Sequence, residues 1–263
     1  MLGERCGRPG STAFTIRFDG ARTALGLHAE DIAQVGAALA ALGLSPPRPV
    51  LVLVGGAAGL SPSDADRVRT TFSSGLVPVL QRLGAAALDG GTRSGVMRIL
   101  GETRAAATAS FPLVAVVAAG TVRLPEERSA AEKRAELDPD HTHVLLVPGD
   151  EWGAESPWLA RAATELAGPA PSITVLVNGG EISYSDVALS VAAGRPVLAV
   201  AGSGRTADEL AEALRGGPAD ERAVQLVRTG LVHAVPVDDP SALGRLLADA
   251  LGRPDAQRSN PSS

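Results

Sequence analysis

The 263-residue sequence is short of several residue types, and each shortage excludes something. It has one cysteine, Cys6, which rules out a disulfide framework or a Cys-rich zinc site. It has one lysine, Lys133, in a charged run, so there is no lysine for a Walker-type phosphate loop or a Schiff base. Two Trp, one Tyr and four Phe are too few for the stacking platforms of single-strand nucleic-acid binders. The net charge of −5 argues against the basic stripe that a nucleic-acid groove needs. No apolar run reaches membrane-spanning length; the longest, such as PLVAVVAAG, are strand-sized. The first residues carry no apolar core of signal-peptide length, so a cytoplasmic protein is expected.

What is abundant is glycine, 30 residues, and branched apolar side chains. A chain of this size buries roughly 70–75% of its unfolded surface, enough for a core without staples. Residues 1–11 and 253–263 are rich in Gly, Pro, Ser and charge and read as disordered tails. Between them, apolar strands alternate with helical patterns. Strands are expected at 49–56, 85–88, 111–120, 141–149, 172–178, 196–202 and 231–237. Helices are expected at 62–83, 94–107, 156–166, 184–193, 206–214, 219–229 and 240–251. An edge strand at TAFTIRF and a helix at 28–42 precede them. The alternation implies one α/β domain over 12–252, a doubly wound, mostly parallel sheet with helices on both faces. In such sheets ligands sit beyond the C-terminal strand ends.

Those ends are where the glycines gather. The first strand closes in Gly55-Gly56, the second in Asp89-Gly90-Gly91-Thr92-Arg93-Ser94-Gly95, the fifth in Asn178-Gly179-Gly180-Glu181-Ile182-Ser183, and the sixth in Gly202-Ser203-Gly204-Arg205. Glycine permits close backbone approach, and the helix that follows presents N–H donors and a positive dipole end. Together they suit phosphate or pyrophosphate. One Gly-Gly turn makes only a tight connection; four along one crevice favour a ligand. The strict dinucleotide fingerprint is absent, and no acidic residue is expected at the next strand end in the position it requires.

GLVPVLQRLGAAALDGGTRSGVMRILGE (75–102) resembles the N-terminal homology region of melastatin-type TRP channels, where a similar Gly-Gly-x-x-x-Gly-Val-Met-Arg turn follows a helix and strand. PLVAVVAAGTV, LDPDHTHVLLVPGDEWGAESPWLARAATELA and ITVLVNGGEISYSDVALSVAAGRPVLAVAGSGRTADELAEAL are similar in order and spacing. The resemblance covers about Pro49 to Leu214 and identifies a SLOG-superfamily chain of the prokaryotic LSDAT type. More distantly, it resembles LOG-type phosphoribohydrolases.

The resemblance implies a Rossmann-like fold that binds a nucleotide-derived ligand such as ADP-ribose, NAD or AMP; no required cofactor is expected, and composition and spacing lead to no expected metal, nucleic-acid or membrane partner. It implies that Gly90, Gly91, Thr92, Ser94 and Gly95 form one phosphate-side turn and Asn178, Gly179, Gly180 and Ser183 a second. It implies that Trp152 stacks on a base, that Glu155 belongs to the same motif, and that Arg205 contacts ligand charge. A second ligand arginine of the channel pattern falls at Leu159; Arg161 is two residues away. The resemblance also leaves homo-oligomerisation through helical faces open.

The LOG-type motif P-G-G-x-G-T-x-x-E aligns with Asn178 to Asp186, with Ile182 in place of Gly and Asp186 in place of the catalytic Glu. A carboxylate shortened by a methylene has lost reach. Asp186 is therefore expected as a helix first-turn residue favoured by the dipole, with N-glycosidic hydrolysis as the alternative and an interaction module with a vestigial site as a third reading. His141 and His143 are expected on one strand face as a structural pair, and His233 at a core or edge position. Ser203 lacks a nucleophile elbow. The charged segment 121–140 reads as a solvated helical insertion, with a lid as the alternative.

Overall fold

The structure, a computed structural model, describes residues 12–56, 59–127 and 134–252. The tails, Cys6 and Lys133 lie outside the described residues. The central strand, β3 in chain order, is Val50–Gly55. Its branched residues alternate between two apolar layers: Val50, Val52 and Val54 enter one core, Leu51 and Leu53 the other. Both faces are buried, which is why the strand reads as an unbroken apolar run.

The other strands of this sheet are β1 (Phe14–Arg17), β2 (Thr23–His28), β4 (Ala86–Asp89), β5 (Leu113–Ala118), β8 (His143–Val147), β9 (Ser172–Val177), β10 (Val197–Ala201) and β11 (Val232–Pro236). A separate parallel pair joins β6 (Val122–Arg123) to β7 (Ala135–Glu136). The sheet order is β1-β2-β8-β5-β4-β3-β9-β10-β11, parallel except for the β1–β2 pair. The helices are α1 (Val35–Ala41), α2 (Pro62–Thr71), α3 (Val77–Leu83), α4 (Gly95–Ala106), α5 (Ser156–Ala167), α6 (Glu181–Ala192), α7 (Arg205–Leu214), α8 (Glu221–Arg228) and α9 (Pro240–Gly252). A π-helical turn, Phe72–Leu76, joins α2 to α3. Helices α2, α3, α4 and α9 bury their apolar stripes on one face; α1, α5, α6, α7 and α8 cover the other.

The chain builds outward from β3 through β4, β5 and β8, then returns to place β9 on the other side of β3. That reversal is the switch point, and helices diverge to opposite faces there, opening a crevice beyond β3 and β9. The expected doubly wound parallel sheet is therefore present.

Three local expectations are corrected. The segment 28–42 is not one helix: His28 ends β2, a 3₁₀ turn covers Ile32–Gln34, and α1 starts at Val35. β2 escaped notice because TALGLH alternates exposed and buried residues but is poor in branched side chains. Helix α6 starts at Glu181, three residues early, because Gly180 closes the turn with Ser183: Ser183 Oγ accepts from the Gly180 N–H at 3.1 Å. The charged segment is not helical at 134–136, where Ala135 and Glu136 pair with β6; residues 128–133 lie outside the described residues.

Candidate functional site

A cleft of about 470 Å³ opens at the switch point. The apolar side chains of Leu53, Val54, Met97 and Leu159 and the glycine ends Gly55 and Gly56 of the central strand contribute to its lining. Gly55 is required there, because a Cβ would collide with the Val177 carbonyl and with Val96. One wall is Gly90 and Thr92. The opposite wall is the first turn of α6: Gly179, Gly180, Glu181, Ile182 and Ser183, with Asp186 a turn further on. Trp152 and Glu155, before α5, and Arg205, at the start of α7, complete it. Thus eleven residues proposed from the sequence converge: Gly55, Gly56, Gly90, Thr92, Trp152, Glu155, Gly179, Gly180, Ser183, Asp186 and Arg205.

Gly91, Ser94, Gly95, Asn178, Gly202, Ser203 and Gly204 do not line the cleft. Their positions explain why. Gly91 donates its N–H to Asp89 Oδ1 at 2.7 Å, and Ser94 N–H goes to the Thr92 carbonyl at 2.7 Å. The Arg93 N–H donates to Glu136 at 2.8 Å. Much of this turn is spent holding its own shape. Asn178, buried with a left-handed φ of 59°, ties the second turn to the third. Its N–H donates to Ser203 Oγ at 2.7 Å and its Nδ2 to the Ser203 carbonyl at 2.8 Å. Ser203 is a buried bracket, not a nucleophile.

Arg205 also has a left-handed backbone, φ 51°, a costly conformation for a non-glycine residue. Its guanidinium lies across Gly180: a Cβ built there would stand 2.7 Å from Nη2. Glycine at 180 is what lets the cation reach the cleft. Arg205 is the only basic side chain among the described lining residues. Leu159, where the channel pattern has arginine, is buried in the cleft wall, and Arg161 is paired with Glu165 at 2.5 Å and does not line the cleft.

Against that cation stand three carboxyl groups. Glu181 is drawn outward by Arg222, 2.7 Å away, whose hydrogen bond holds the Glu181 carboxyl below its usual range. Arg222 in turn lies 4.0 Å over the Tyr184 ring. Glu155 is pushed upward by burial, partly offset by backbone N–H groups including Gly153 at 3.0 Å. Asp186 is pushed up to about 6 by burial, with a Ser156 hydrogen bond opposing and the Glu155 charge reinforcing the rise. Asp186 is the sixth residue of α6, beyond the first turn, and its carboxylate is disfavoured rather than stabilised. The dipole expectation is therefore overturned.

Behind the Gly90 wall, Asp89 ends β4, correcting the expectation that no acidic residue would stand at that strand end. It is fully buried and bonded to His141 Nε2 at 2.8 Å, so a ribose does not reach it. His141 precedes β8 rather than sharing a strand face with His143, and the two form no pair; His143 bonds to Thr142. His233 is exposed on the edge strand β11. Sequence reasoning missed Leu53, Val54, Met97 and Glu181 as lining residues. The first two are hidden in an ordinary strand run, Met97 in a helix, and Glu181 in the turn motif's variable position.

Residues 48–244 match the family described as "SLOG in TRPM, prokaryote". The chain belongs to this family. It is also 26% identical over 228 residues to the transient receptor potential cation channel subfamily M member 2 of Rattus norvegicus, and 27% identical over 228 residues to that of Mus musculus. Each alignment covers 72% of this chain and 15% of the relative, so this SLOG chain spans a small fraction of those channels. Family membership suggests a ligand-binding or regulatory domain. Among the described residues no helix is long and apolar enough to cross a membrane.

Proposed function

We propose that the cleft binds a nucleotide-derived ligand of the ADP-ribose, NAD or AMP class and that the protein acts as a cytoplasmic sensor or binding domain for it. The observation that carries this reading is Arg205: a strained cation laid over Gly180 where the first turn of α6 opens on the cleft. A helix N-terminus and a planar guanidinium at one point suit a phosphate oxygen pair. Trp152, 48% exposed at the rim, offers a face on which a base stacks. The relatives are cation channels by name, and ligand gating of a larger assembly fits a domain of this kind.

With Leu159 in place of a second arginine, Arg205 bears the phosphate charge with backbone groups. A thermal-shift panel tests the reading: ADP-ribose, NAD or AMP raises the melting temperature of the wild type, and Arg205→Ala abolishes the rise. A flat panel for the wild type rejects it.

A second reading is favoured by Asp186. A carboxyl with a pKa near 6, in the cleft beside Glu155, is suited to proton transfer near neutral pH. In N-glycosidic hydrolysis, water adds to the anomeric carbon, the bond to the base breaks and the base leaves with a proton. Chromatography of AMP incubated with the protein decides this: free adenine supports hydrolysis, intact AMP excludes it for that substrate.

A further inference from the structure

Asp89, His141 and Asp138 form a cluster that the cleft chemistry does not use. The three side chains are sealed from solvent, at 0 to 1% exposure. Asp89 Oδ1 takes two donors, His141 Nε2 at 2.8 Å and the Gly91 N–H at 2.7 Å. On the other side of the imidazole, Nδ1 stands 3.4 Å from Asp138 Oδ1, a charge contact; that oxygen also accepts from the Asp140 N–H at 2.9 Å. The Asp138 N–H donates to the Gly91 carbonyl at 2.9 Å. Both polar ends of the Gly91 residue are thus held, one by each aspartate, and His141 bridges the two. Helix α4 leaves room for the cluster at Gly101, where a Cβ would come within 2.8 Å of Asp138 Oδ1.

The neighbours of Gly91 on either side, Gly90 and Thr92, are the cleft wall. Gly91 faces β5, where a Cβ would come within 2.5 Å of Ala115 and 2.8 Å of Val117, so only glycine fits at the bridged position. We propose that His141 is a positioning residue for the cleft: by bridging Asp89 to Asp138 it fixes Gly91, and with it the Gly90 and Thr92 wall on which a ligand rests. The inference rests on the nucleotide-binding reading above and assigns the cleft a buried control point. Charge balance supports it. An imidazole buried between two aspartate side chains is favoured in its charged form. Burial opposes a charged His141, but the Asp89 charge and hydrogen bond, with the Asp138 side chain against the other nitrogen, outweigh it and raise its pKa to about 10. His141 is therefore protonated on both nitrogens at neutral pH, with an aspartate side chain facing each.

A merely structural ion cluster would hold the fold and ignore the ligand. Side-chain and backbone nuclear magnetic resonance of the full-length wild type at pH 7.5 separates the two, with ADP-ribose and AMP titrated individually. The expected result is a His141 ring protonated on both nitrogens. Its resonances and the Gly91 amide would shift with the same midpoint as the Trp152 indole. Trp152 shifting while His141 and Gly91 stay fixed would overturn the inference and leave the binding reading standing. No shift at Trp152, His141 or Gly91 with either nucleotide would overturn both. As a second arm, Asp138→Asn keeps the side-chain shape and the backbone donor; affinity falls about tenfold, the size of a coupling within one network. His143→Gln, off the bridge, leaves affinity unchanged. Wild-type affinity in folded Asp138→Asn also overturns the inference.

Discussion

Asn178 grips Ser203 twice, through its N–H to the hydroxyl at 2.7 Å and through Nδ2 to the carbonyl at 2.8 Å. These two bonds lock the turn after β9 to the turn after β10, and Arg205 is carried on the second of them. Ser203 Oγ itself donates to the Val200 carbonyl at 2.6 Å, so its hydroxyl is fully engaged. Ser203→Ala leaves a buried N–H without an acceptor, which costs about 1–3 kcal/mol. Chemical denaturation measures this. Nucleotide binding weakens as well, because the Arg205 turn loses its anchor, and no nucleophile-dependent reaction is lost.

Asp186 gives an unusual dependence of stability on pH. Its folded pKa of about 6 lies above the ordinary value of 3.8. The folded state therefore binds the proton more tightly, and the contribution of this group to stability is lost as pH rises from about 4 through 6. Asp186→Asn removes that penalty and is expected to stabilise the ligand-free protein at pH 7.5 by about 1–3 kcal/mol. The gain shrinks toward pH 4. Melting curves of both proteins across that range check the sign.

His141 acts in the opposite window. Its folded pKa of about 10 exceeds the ordinary 6.5, so its stabilising effect is complete below 6.5 and is lost as pH climbs through 10. The melting temperature of the wild type falls between those values by more than that of His141→Gln, whose baseline stability is already lower. Equal slopes for the two proteins would show that the imidazole is not charged in the fold.

Arg205→Ala is expected to weaken nucleotide binding about 10- to 100-fold, the worth of one charge-assisted phosphate contact. The left-handed φ of 51° is as strained in alanine as in arginine, so the variant gains no stability from the backbone and its ligand-free melting temperature does not rise. Arg205→Gly, which tolerates the backbone, loses affinity equally. Isothermal titration of the three proteins with ADP-ribose checks this.

Much of the fold was legible because each buried strand is a run of branched residues and each helix carries its own period. Val50–Gly55 and Leu113–Ala118 needed no tertiary information. The glycine ends of strands located the cleft, since Gly55, Gly90 and Gly180 are placed by local turn chemistry that composition reveals. What stayed hidden depends on partners far away in sequence. His141 finds Asp89 52 positions earlier, a contact that no spacing announces. Asp186 reads as a first-turn carboxylate until the start of α6 is known, and its Ser156 partner lies on α5. Arg161, two residues from the arginine position at Leu159, is displaced by about half a helical turn, and it pairs with Glu165.

On the proposed reading, the cleft between Gly90, Gly180 and Arg205 holds a nucleotide-derived ligand. Native mass spectrometry of the freshly purified full-length protein, before and after adding ADP-ribose, NAD or AMP, tests it most directly. A one-to-one mass increment is expected for at least one of them in the wild type, and its loss in Arg205→Ala. Bare protein mass with all three nucleotides, or an increment that survives in Arg205→Ala unchanged, would contradict it.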